Sequence, residues 1–103
     1  MDDLVNKLIE NKFDFELRTK LKFDENEYIN LVDILKLINE NISDLPNISK
    51  ELAFNLYYIP YIVKNTLDFL NTENKNIKLR NKVEEAWIEI DHLVQTCLGG
   101  DDL

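Results

Sequence analysis

Lys12–Phe23, "KFDFELRTKLKF", is the stretch on which the fold turns. Phe13, Phe15, Leu17, Leu21 and Phe23 are interleaved with polar residues in the two-residue rhythm of a half-buried strand. Against that stand two acid-before-base pairs four residues apart, Asp14 with Arg18 and Glu16 with Lys20, which favour a helix. Asp14 is also suited to cap a helix beginning at Phe15. A strand here would have no mate, because no other part of the chain alternates convincingly and a lone strand leaves its backbone groups unpaired. The stretch is therefore read as a short helix. The alternative is an extended 13–23 paired with another chain.

Outward from this stretch the pattern is helical. On the N-terminal side, Asp2 to about Asn11 places Leu4, Val5, Leu8 and Ile9 on one face, with two aspartates at the positive end of the helix dipole. On the C-terminal side, Asp24 is an N-cap, Glu27 holds the capping-box position, and Phe23 can staple onto Tyr28. The helix that follows runs to about Asn41 on a stripe of Tyr28, Leu31, Leu35, Ile38 and Ile42, and "NISDLPN" ends it. A fourth helix begins near Asn47 or Ser49 and reaches about Asn71. Leu52, Leu56, Ile59, Val63, Leu67 and Leu70 mark its aliphatic stripe, and Phe54, Tyr57, Tyr58, Tyr61, Ile62 and Phe69 its other side. Pro60, lacking an amide proton, is expected to kink this helix or divide it near Tyr57. The last helix, roughly 75–98, buries Leu79, Val83, Ala86, Trp87, Ile90, Val94 and Cys97, and Gly99-Gly100 supplies a left-handed stop. The expectation is an all-α protein: a compact bundle of four to five helices, kinked at Pro60, with residues 1–98 as one helical domain and 99–103 as a flexible acidic tail.

Composition agrees with a single domain. The chain has 103 residues, 45% of them hydrophobic, which suffices for a core without disulfides or metal. Two glycines and two prolines are too few for the turns of a many-stranded sandwich. A net charge of -8 repels phosphate, which disfavours direct contact with nucleic acid or an anionic membrane and suits a basic partner. There is no basic, apolar leader and no apolar run of the roughly 20 residues that cross a bilayer, so the expected address is the cytoplasm.

No catalytic or cofactor-binding motif emerges. "EIDH", Glu89 to His92, has the Glu-x-x-His spacing of carboxylate-bridged di-iron bundles, but His92 is the one histidine, so no second such pair exists to complete a metal site. Cys97 falls on an apolar face, as buried inert thiols do, away from His92 as a base. Neither a phosphate-cradling glycine loop nor a metal-spaced Cys/His cluster is present. An enzyme is not expected, and no cofactor is. The segments that invite a binding role are the aromatic side of the fourth helix and the acidic side of the fifth. Most of the aromatic side belongs in the core if helices cover both sides of the fourth helix. Tyr57 and Tyr61, four apart and furthest from the aliphatic stripe, are the rings placed to remain outside, where tyrosine makes a good interface anchor. Glu84, Glu85 and Glu89 point broadly outward and would steer a basic partner.

"LYYIP", Leu56 to Pro60, followed by Tyr61, resembles the Tyr-Tyr-Pro turn of colicin-type immunity proteins, small acidic helical inhibitors of bacterial nuclease toxins. In this chain Ile59 separates the tyrosines from the proline, and the likeness extends over five or six residues plus the general architecture. The immunity proteins of contact-dependent toxin systems are similar in the same respects. The resemblance implies a cytoplasmic, stoichiometric inhibitor that clamps a basic toxin domain between tyrosine anchors and an acidic helix. The alternatives are a structural or regulatory helical module, homodimeric through the aromatic side or residues 13–23, and a nucleic-acid mimic that blocks a DNA-binding protein.

Overall fold

The computed structural model describes residues 1–42 and 45–99, which form five helices: α1 (Asp2–Glu10), α2 (Phe13–Lys20), α3 (Glu25–Ile42), α4 (Lys50–Glu73) and α5 (Ile77–Cys97). The described residues contain no strand. The stretch that decides the fold is settled by its own burial. Phe13 and Leu17, four apart, are both 0% exposed, whereas Phe15 between them is 49% exposed. A strand would have sent all three to one face. The extended alternative for 13–23 is thus overturned for Phe13–Lys20, and of that stretch only 21–23 lie outside a helix.

The ends of α2 also differ from expectation. Asn11 Oδ1 accepts from the Phe13 amide at 3.0 Å, so the helix starts two residues earlier than an Asp14 cap would have it. Asp14 lies inside the first turn, and burial raises its carboxyl pKa despite the nearby helix amides. Asp24 caps α3 as expected, accepting from the Glu27 amide at 3.1 Å. The Glu27 side chain does not return to Asp24. Its carboxylate accepts from the Lys12 amide at 3.0 Å, and its backbone carbonyl accepts from Asn11 Nδ2 at 3.0 Å, so the α1–α2 corner is tied to α3. Phe23 does staple onto Tyr28, at 5.4 Å between ring centroids, and both rings pack on Phe13 at 5.0 and 5.2 Å.

Helices α3 and α4 have no direct backbone approach to one another among the described residues. On one side α5 bridges them; on the other, α1 and α2 each reach both and together take the place of a fourth long helix. The extents, 44 × 30 × 20 Å, match two helix layers about 10 Å each. Every residue of the predicted aliphatic stripe of α4 is buried, as are Leu31, Leu35, Ile38 and Ile42 of α3 and Val83, Ala86, Ile90 and Val94 of α5. Some assignments change: Ile9 is exposed, Ile62, grouped with the aromatic side, is buried, and Leu79, Trp87 and Cys97 are half-buried rather than buried.

Ser49 caps α4, accepting from the Leu52 amide at 3.1 Å, and Asn76 caps α5 in the same way through Leu79. Pro60 does not divide α4, which is unbroken from Lys50 to Glu73. The burial of the stripe on both sides of the proline offsets the missing hydrogen bond. Gly99 has φ 82, the left-handed conformation expected after α5. Gly100 and the rest of the expected tail lie outside the described residues.

Candidate partner-binding surface

Among the described residues, no helix covers the aromatic side of α4. Phe54, Tyr57, Tyr61 and Phe69 are all exposed and Tyr58 is half-buried. Spacing alone produces this. The aliphatic residues recur at three- and four-residue steps and claim the side facing α5, α1 and α2, which leaves the rings at 54, 57, 58 and 61 on the solvent side. Four-residue spacing also lets the rings support one another. Tyr57 and Tyr61 stack at 6.0 Å with their planes 16° apart, and Phe54 and Tyr58 stack at 5.5 Å and 24°. Tyr57 is 65% and Tyr61 49% exposed, although each is steadied by a neighbour.

Beside this pair runs a groove between α4 and α5 of about 270 Å³. Its α4 wall is Tyr57 and Tyr61, its other wall is Trp87 of α5 with Leu98 just past the helix end, and the buried Leu56 and Val94 also line it. Lys64 and Asp91 also line it. The Lys64 ammonium sits 5.2 Å from the centre of the Trp87 ring and pairs with Asp68 at 2.8 Å. Pro60, also in the lining, has no N–H to offer the Leu56 carbonyl, which is left without its usual helical donor.

The three glutamates expected to act together are separated by α5. Glu84 lies on the flank toward α4: Arg80 holds it at 2.5 Å and in turn donates to Asn71 of α4 at 2.6 Å. Glu89 lies on the flank toward α3, accepting from the Tyr28 hydroxyl. Glu85 is exposed, with its charge felt at Tyr28. Burial, then the hydrogen bond to Glu89, raises the Tyr28 phenol above its ordinary pKa. Only Glu84 is therefore on the same side of α5 as the tyrosines.

Two contributors were missed by pattern reading. Trp87 was assigned wholly to the core, yet it is half-buried and forms a groove wall. Asp91, which the sequence did not single out, lines the groove one turn beyond Trp87. The signal that could have found them is the four-residue step from Trp87 to Asp91. Cys97 is half-buried, its thiol donating to the Leu35 carbonyl at 3.6 Å, and burial pushes its pKa up to about 11. No helix among the described residues is long and apolar enough to cross a membrane. The chain matches no known protein family, no curated protein and no solved structure.

Proposed function

We propose that this chain is a stoichiometric protein-binding inhibitor of the immunity-protein kind, neutralising a basic bacterial toxin domain in the cytoplasm by occupying its surface. The reading is carried by the stacked, exposed Tyr57–Tyr61 pair on an uncovered helix face. Two rings already ordered by stacking lose little rotational freedom on binding and bury a large area, which is how tyrosine becomes an interface anchor. The net charge of -8 raises the encounter rate with a basic surface. Glu84, Glu85 and Glu89 contribute to that field from different sides of α5. Inhibition needs no chemistry on this side of the complex: capture is fast, release is slow, and the toxin is held away from its substrate.

The test is co-purification from the native cell, followed by calorimetric titration of the identified partner with Tyr57→Ala and Tyr61→Ala. Each variant is expected to weaken binding by more than about 2 kcal/mol if the ring is a hot spot. Because both rings are exposed, unfolding stability should change by less than about 1 kcal/mol. An acidic partner, or unaltered affinity in both variants, would remove the reading.

A further inference from the structure

Building on the proposed function, we infer that the α4–α5 groove is a receptor for one arginine side chain of the basic partner, stacked against Trp87 and the tyrosine wall and paired with Asp91. Four observations converge. At about 270 Å³, the groove falls below the roughly 300–1,000 Å³ of small-molecule pockets and suits a single long side chain. Its lining includes three aromatic side chains, Tyr57, Tyr61 and Trp87, a ring-rich setting that suits a planar cation. It already accommodates a cation of its own, because Lys64 lies over the indole. Lys64 is compensated by Asp68, whereas Asp91 has no ion-pair partner among the described residues, so one carboxylate in the groove is left for an incoming charge.

Arginine fits these features better than lysine. A guanidinium is flat, stacks on rings, and presents several N–H groups that can reach both oxygens of a carboxylate together, whereas an ammonium acts as a strongly hydrated point charge. The guest would share the indole face with Lys64 or displace it. Lys64 thus limits affinity, and removing its charge should strengthen binding.

The chain has a single tryptophan, so its fluorescence reports this groove directly. The probes are acetylated, amidated tetra-arginine and tetra-lysine peptides, titrated into the full chain at low salt. Tetra-arginine is expected to change Trp87 emission saturably and to bind at least about threefold more tightly than tetra-lysine. Asp91→Asn should weaken the arginine peptide by roughly three- to tenfold, and Lys64→Gln should strengthen it. Circular dichroism checks that both variants keep their helices. Emission that does not respond, equal binding of the two peptides, or an Asp91→Asn titration that overlays the parent would overturn the inference. The wild-type comparison of peptides stands even if a variant misfolds. A toxin complex that still depends on Tyr57 while ignoring Asp91 would sink the arginine receptor alone; failure to find any basic partner would sink the proposed function instead.

Discussion

Phe13 and Phe15 stand two positions apart, one sealed in the core and the other facing water, and that difference can be measured. Phe13→Ala should cost about 3–5 kcal/mol in a urea unfolding experiment, as fully buried rings do, and Phe15→Ala less than about 1 kcal/mol. Equal losses would be the mark of a strand. Tyr28 supplies a pH signature. Its pKa is raised above the ordinary 10.0 by burial and then by Glu89, so the folded chain holds the phenolic proton more tightly than the unfolded chain does. That share of stability is complete below about pH 10 and is lost as pH rises through the folded value. The urea midpoint should therefore fall less between about pH 9 and pH 11 in Tyr28→Phe than in the parent chain. Cys97, pushed up to about 11, is almost wholly protonated at neutral pH, so alkylation should be slow until denaturant exposes it.

At the scale of the helix, the caps carry predictions of their own. Ser49→Ala should cost about 1 kcal/mol, because it leaves the Leu52 amide without its acceptor. Glu27→Ala should cost a similar amount, about 1 kcal/mol, by freeing the Lys12 amide. The starts of α3 and α4 could be read in advance because Asp24 and Ser49 act on residues three positions ahead, within the reach of a local pattern. The beginning of α2 has a local signal in Asn11, which accepts from the Phe13 amide two positions on, and a non-local one in Glu27, which reaches the Lys12 amide across 15 positions and lies outside any local pattern. The same boundary separates what was legible in the binding surface. That Tyr57 and Tyr61 sit opposite the aliphatic stripe follows from the helical period alone. The separation of Glu84 from Glu89 follows from which helix lies on each flank of α5, and Trp87 and Asp91 become groove residues only when α4 is set beside them. At Pro60 the local reading leaves both a kink and a break open, and packing on both sides of the proline excludes the break and keeps α4 whole.

For the whole molecule, the excess negative charge predicts how association responds to salt. The rate of association with a basic partner should fall steeply as ionic strength rises from about 20 to 200 mM, with little change in the rate of dissociation. Stopped-flow fluorescence from the single tryptophan would record both. The bundle has a further consequence for how it is made. Among the described residues α3 and α4 are joined through α1 and α2 on one side and through α5 on the other, so the side of the core that α5 closes stays open while residues 77–97 are still inside the ribosome. Folding is accordingly tied to the late moment of synthesis at which that segment emerges, and a nascent chain arrested at Asn76 should remain protease-sensitive throughout.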